Sequence, residues 1–192
     1  MPQARPVRTE LPTLPMNLTI NPNPHRSASA ALPALAAAGA LGVLGGALWM
    51  QRQGFAPCPL CILQRMAYLA VLGFALVAAA TARRSSAAVA ATALVLGVVS
   101  AIAGFGVAAR HVWLVLHPGQ TCGLDPLATV INSWSLTHWF PSMFRADGFC
   151  ADTPSLFGVS LPFWSALGFI VLAALLGVAL ASRNGRRRGA AA

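Results

Sequence analysis

Charged residues are scarce in this 192-residue chain: they make up 9% of it, and lysine is absent altogether. All thirteen basic residues are arginine, and only Glu10, Asp125, Asp147 and Asp152 are acidic. Soluble domains carry about 25% charged residues, so this chain cannot cover a soluble globule with a mixed polar surface. A hydrophobic content of 57% excludes wholesale disorder, which needs low hydrophobicity. The net charge of +9 suggests nucleic acid at first sight, but that reading needs basic residues gathered on one folded face. Here the arginines punctuate apolar runs, so no nucleic acid is expected as a partner. Period-two alternation is missing too: the runs are continuous in Ala, Leu, Val and Gly, which argues against a closed β-barrel. No internal repeat is evident. What remains is an all-α membrane protein with the lipid bilayer as its solvent.

Four stretches are long enough to cross. Arg26 to Arg52 and Arg84 to Arg110 each enclose 25 residues without a charge, and Asp152 to Arg183 encloses 30. Arg65 to Arg83 encloses only 17, and it reaches the required length of about 20 residues if the span starts near Leu60 and carries Arg65 inside it. The expected architecture is a four-transmembrane-helix bundle over 28–182, with spans near 31–50, 60–82, 87–109 and 161–181. Outer loops fall at 51–59 and 110–160, the second being too long for a mere connection. Its stretch from Leu127 to Phe144 mixes Ile131, Trp134, Trp139 and Phe140 with Asn132, Ser133 and His138, which suits a segment lying in the headgroup zone. Residues 1–27 hold six prolines and no apolar periodicity, so a disordered cytoplasmic tail is expected there, with Met16 as a second candidate start. Residues 183–192 read as a basic cytoplasmic tail.

Orientation follows from the arginines. The side of both tails and the 83–86 turn holds Arg5, Arg8, Arg26, Arg83, Arg84, Arg183, Arg186, Arg187 and Arg188, against Arg52, Arg110 and Arg145 on the other. Nine against three places both termini in the cytoplasm. The first apolar run is read as a span rather than a cleavable signal, because no small-x-small cleavage site precedes Gln51.

All four cysteines then fall on the outer side. Cys58 and Cys61 form Cys-Pro-Leu-Cys at the mouth of span two, while Cys122 and Cys150 lie 28 positions apart in the large loop. An even count on the oxidising side reads as disulfide chemistry. Structural staples, a four-thiolate metal site and two exchanging disulfides compete. A bridge closing so short a loop removes little chain entropy. Four-thiolate metal sites need two compact pairs, and the wide spacing of Cys122 and Cys150 supplies no second knuckle, so no metal is expected. A Cys-x-x-Cys at a helix N-terminus suits a reactive dithiol, since the helix end stabilises thiolate. Arg65 follows Cys61 by one turn on the same face, and a charge inside a span defaults to a functional role. His117 and His138 read as ordinary interface residues.

These pieces resemble the disulfide bond formation protein B family (DsbB), bacterial inner-membrane quinone reductases. The resemblance rests on Cys58-Pro-Leu-Cys61 with Arg65, on His111-Val-Trp-Leu-Val-Leu-His-Pro leading to Thr121-Cys122, and on Cys150 with Phe157-Gly-Val-Ser-Leu-Pro-Phe-Trp164. It covers about residues 30–182. Vitamin K epoxide reductase relatives share the four-helix plan, but their active pair sits in the last helix of the core bundle, where this chain has none.

The resemblance implies a reaction. The loop disulfide Cys122–Cys150 would accept electrons from a reduced periplasmic DsbA-type dithiol oxidase, with Cys122 the sulfur attacked. Cys150 would exchange with Cys58, and Cys61 would deliver the electrons to a membrane quinone, ubiquinone or menaquinone. Arg65 would hold the quinone and favour the Cys61 thiolate, and His111 would lie near the ring. The protein would be an inner-membrane protein with periplasmic cysteines. A non-catalytic membrane scaffold, with two structural disulfides, is the alternative.

Overall fold

A computed structural model describes residues 24–82, 86–117, 126–150 and 153–189. Cys122, residues 1–23, residues 83–85 and the last three residues lie outside them. Four long helices dominate: α1 (Pro24–Arg52), α2 (Pro59–Ala82), α3 (Ala87–Leu116) and, at the end, α7 (Leu161–Gly189). All four are long and apolar enough to cross a membrane. Between α3 and α7 come three short helices, α4 (Pro126–Asn132), α5 (Ser135–Trp139) and α6 (Pro141–Phe144), then the strands β1 (Ser155–Leu156) and β2 (Val159–Ser160). The chain is the helical membrane bundle its composition calls for, with no barrel among the described residues.

Each helix starts and stops for a local reason. Proline fixes φ near −65° and lacks the N–H that a first helical turn leaves unpaired; Pro24, Pro59, Pro126 and Pro141 open four of the seven helices. Past Arg110, where the charge-free run ends, α3 continues for nearly two turns. Intrahelical hydrogen bonds hold wherever the segment sits, and Arg110 folds over the Trp113 ring, 4.8 Å from its centroid. The helix stops at His117, whose N–H caps the carbonyls of Trp113 and Leu114. The two-residue β1–β2 turn, Phe157 and Gly158, has positive φ at both positions, the geometry that matches the twist of a tight hairpin.

The long helices close a ring in which α1 packs on α2, α2 on α3, α3 on α7 and α7 back on α1. Apolar burial drives little association where lipid is as apolar as leucine, so close packing of small residues must hold the ring. The core accordingly contains Ala36, Ala40, Ala75, Ala90, Ala101 and Ala108, filled out by Tyr68, Leu94, Phe169 and Leu176. Gly104 sits flush against the Phe169 ring, leaving no room for a Cβ. Phe169 in turn stacks on Tyr68 with centroids 4.0 Å apart. Large apolar side chains such as Leu35, Val99, Ile102 and Ile170 face outward.

The short helices form a cap over one end of the ring. Ile131, Phe144 and Ala146 bury themselves against Ile62 at the start of α2, while Trp139 and Phe140 point away. This packing fixes the segment 145–150 beside the mouth of α2.

Candidate active site

Cys58 is the residue before α2, and its backbone carbonyl accepts the first helical bond, from the Ile62 N–H at 3.1 Å. Its Sγ accepts the Cys61 N–H at 3.3 Å, so a sulfur occupies the capping position where partial positive charge gathers. Cys61 lies one turn on, and the two sulfurs are 2.9 Å apart as free thiols. The hydrogen bond to Cys61, and then burial, push the Cys58 thiol up.

Arg65 is folded inward and buried rather than reaching for an interface. Its Nη1 donates to Gln51 Oε1 at 2.8 Å and to the carbonyls of Ser142 and Met143 at 3.3 and 3.4 Å. Nη2 donates to the Ala47 carbonyl at 3.4 Å. These acceptors are neutral, and the salt bridge recorded among the described residues is the exposed Arg145–Asp147 pair. Arg65 follows Cys61 by one turn of α2 and lines the same cavity, so its cation is placed to meet negative charge that forms on that sulfur.

His111 is fully buried. Its Nε2 lies 3.2 Å from the Cys150 carbonyl and 3.6 Å from Cys58 Sγ, and its Nδ1 lies 3.1 Å from Gln64 Nε2. A carbonyl can only accept, so Nε2 carries the proton and Nδ1 accepts from the Gln64 amide. The ring is thus held as one neutral tautomer, its N–H aimed between Cys150 and Cys58.

Cys150 is disulfide-bonded and buried. The Cys58 sulfur, the Cys150 sulfur and a ring nitrogen of His111 all lie within 4.8 Å of one another. Three such atoms could gather a soft metal ion only if Cys150 were a thiolate; with its sulfur in a disulfide, the same proximity serves thiol–disulfide exchange.

Beside these groups lies a cavity of about 420 Å³. Cys58, Cys61, Arg65 and His111 reach it from one side. Leu44, Trp49, Met50, Leu161 and Trp164 give it apolar walls, and Gln51, Gln64 and Tyr68 add polar points. The hairpin closes one flank, pinned by the Trp164 indole N–H to the Leu156 carbonyl at 3.2 Å.

Of the residues singled out from the sequence, Cys58, Cys61, Arg65, His111 and Cys150 meet here, and Cys122 lies outside the described residues. Gln64 and Gln51 went unnoticed. Gln64 carried a usable signal, being an amide inside an apolar span. Gln51, at the ragged end of α1, carried none.

The fold and site define a polytopic helical membrane protein built around a buried thiol–disulfide centre. Residues 29–179 match the family model for the disulfide bond formation protein DsbB, and the chain belongs to that family. Disulfide bond formation protein B of Ralstonia nicotianae is 40% identical over 152 residues, covering 77% of this chain and 91% of the relative. Disulfide bond formation protein B 2 of Burkholderia lata is 42% identical over 137 residues, 70% and 79% of the two chains. Disulfide bond formation protein B 1 of Pseudomonas savastanoi pv. phaseolicola is 43% identical over 149 residues, 77% and 86%. The protein is an oxidoreductase of disulfide bond formation.

Proposed function

We propose that the chain reoxidises a periplasmic DsbA-type dithiol oxidase and passes the electrons through two exchanging disulfides to a membrane quinone. The observation that carries this reading is the Cys150 sulfur lying within 4.8 Å of the Cys58 sulfur, at the edge of a cavity that Cys61 and Arg65 also line. Staples would be expected to lie apart, each closing its own loop; here Cys150 lies beside Cys58.

In the forward direction a thiolate of the soluble partner attacks Cys122 and releases Cys150 as thiolate. Cys150 attacks Cys58 of an oxidised Cys58–Cys61 pair, forming the Cys58–Cys150 bond while the bonding electrons leave on Cys61. The partner's second thiol then attacks the mixed disulfide, so the partner leaves oxidised and Cys122 is freed as thiolate. Cys122 displaces Cys58 from Cys150, the loop disulfide is restored and two electrons rest on Cys58 and Cys61. The geometry suits each group to its part. Arg65 offsets negative charge arriving on Cys61. The His111 Nε2, held by the Cys150 carbonyl and 3.6 Å from Cys58 Sγ, places a dipole beside the sulfur that Cys150 attacks.

The cavity fits a quinone headgroup: apolar walls suit the ring and an isoprenoid tail, and Arg65, Gln51 and Gln64 offer hydrogen-bonding groups. A bound quinone supplies a two-electron acceptor that also takes up two protons. DsbA-type oxidases are strongly oxidising, at about −120 mV, so an acceptor stronger than glutathione is required. An inner-membrane location with cytoplasmic termini and periplasmic cysteines rests on the nine-to-three distribution of arginines.

The test is to reduce the purified protein anaerobically and add a soluble quinone. Stoichiometric loss of thiols is expected. Inert thiols would leave a non-catalytic scaffold.

A further inference from the structure

Resting on that reading, we propose that Asn132 and Gly148 are positioning residues for the transfer between the two disulfides: they hold the 145–150 segment so that Cys150 meets Cys58. Exchange needs the attacking sulfur close to, and in line with, the bond it breaks, and a misplacement of about 1 Å can cost a hundredfold in rate. Short strands and caps are the usual means of such control. Cys150 belongs to neither, since residues 145–150 follow α6 without regular structure.

Three anchors replace them. Asn132, the last residue of α4, grips the backbone of Ala146 from both sides. Its Nδ2 donates to the Ala146 carbonyl and its Oδ1 accepts the Ala146 N–H, each at 2.9 Å. The next two N–H groups, of Asp147 and Gly148, converge on one carbonyl, that of Pro57, at 3.1 and 3.0 Å. Pro57 is the residue immediately before Cys58. Finally the Cys150 carbonyl takes the His111 N–H at 3.2 Å. One chain segment is thus tied to the cap, to the α2 entry and to α3, and its cysteine lands beside the cysteine that follows Pro57.

Gly148 is what lets the second anchor form. Its α-carbon faces the Ala56 carbonyl so closely that any Cβ would collide with backbone, first at Ala56 and then at Pro57. Neither neighbour is a flexible side chain able to yield. A larger residue must therefore lift the segment off the Pro57 carbonyl, two positions before the reacting sulfur. The Asn132 anchor is equally specific, because only a side chain with both an acceptor and a donor pairs with both groups of one peptide residue.

Neither residue itself lines the cavity, although Gly148 rests on Ala56 and Pro57, which do; this separates their role from that of Arg65 or His111. Their removal should slow one step and spare those on either side. The experiment uses full-length, fully oxidised protein mixed anaerobically with excess reduced DsbA-type oxidase, without quinone. Acid quenching, alkylation and mass spectrometry then count thiols at each cysteine. In Gly148→Val and Asn132→Ala, thiols at Cys122 and Cys150 should appear within about twofold of the wild-type rate, while thiols at Cys58 and Cys61 appear at least about tenfold more slowly. Asn132→Asp, which keeps the acceptor and loses the donor, should fall between. Prereduced Cys58 and Cys61 should be reoxidised by soluble quinone at the wild-type rate in all three. Unchanged transfer between the pairs overturns the proposal, and so does a uniform loss across all steps. Wild-type protein that never passes electrons from the loop pair to Cys58 and Cys61 would instead refute the electron path itself.

Discussion

Replacing Arg65 by methionine removes the guanidinium at nearly constant length and leaves an apolar side chain in an apolar wall. The size of the effect follows from its hydrogen bonds. A guanidinium has five N–H donors. Nη1 spends its two on Gln51, Ser142 and Met143, and Nη2 spends one on Ala47. The Nε donor and the second Nη2 donor have no partner recorded among the described residues, and Arg65 lines the cavity. These two are what an acceptor carbonyl would meet. A hydrogen bond to a charged group contributes about 1.5–3 kcal/mol, and each 1.4 kcal/mol is about tenfold in affinity. Arg65→Met should therefore raise the KM for a soluble quinone by roughly ten- to a hundredfold. Turnover should fall as well, since negative charge on Cys61 loses its compensating cation. Arg65→Lys, which keeps the charge and loses the planar fork, should recover turnover more than KM. The assay is steady-state quinone reduction followed by ultraviolet absorbance, with reduced DsbA-type protein as donor. A KM for Arg65→Met within twofold of the wild type would refute the reasoning and leave Arg65 a purely structural tie.

Three further outcomes are expected. Because the hydrogen bond to Cys61 and burial push the Cys58 thiol up, alkylation, which needs thiolate, should modify Cys61 before Cys58 as pH is raised; mass spectrometry of the reduced protein decides it, and preferential labelling of Cys58 contradicts it. A cysteine at exposed Trp139 should react with an impermeant maleimide added to intact spheroplasts, while one at exposed Asn184 stays protected until the membrane is opened; the reverse pattern would invert the orientation drawn from the arginines. Gly104→Ala, which drives a methyl into the Phe169 ring, should cost about 1–3 kcal/mol through overpacking and lower the thermal midpoint in detergent, whereas Gly42→Ala, with open space around it, should not.

The bundle was legible because its signal is local. A charge-free run of about 20 residues marks a span wherever it occurs, and the four long helices contain the four expected spans. The end of α3 was less legible: Arg110 closes the apolar run, yet the backbone keeps its helical bonds to Leu116. The dithiol and Arg65 were legible because they lie within two helical turns of one motif. Asn132, Gly148 and Gln51 were not, because what defines them is a neighbour elsewhere. Asn132 grips Ala146, Gly148 lies on Ala56 and Pro57, and Gln51 meets Arg65 across a helix boundary. Gln64 lies between these cases, visible as an oddity but assigned a partner only once α3 is placed beside α2.

Arg65 draws its hydrogen bonds from both directions along the chain. Ala47 and Gln51 precede it by 18 and 14 positions, whereas Ser142 and Met143 follow by 77 and 78. A chain delivered to the bilayer from its N-terminus therefore has the first half of this socket as soon as α1 and α2 are paired. The second half arrives only after a third helix and most of the cap have been synthesised. In the interval a cation sits within a membrane segment with part of its solvation missing, an arrangement hydrocarbon penalises. Closure of the cap over α2 is thus the step of biogenesis that completes the shelter of the arginine. Until then the first helical hairpin is inserted but unfinished.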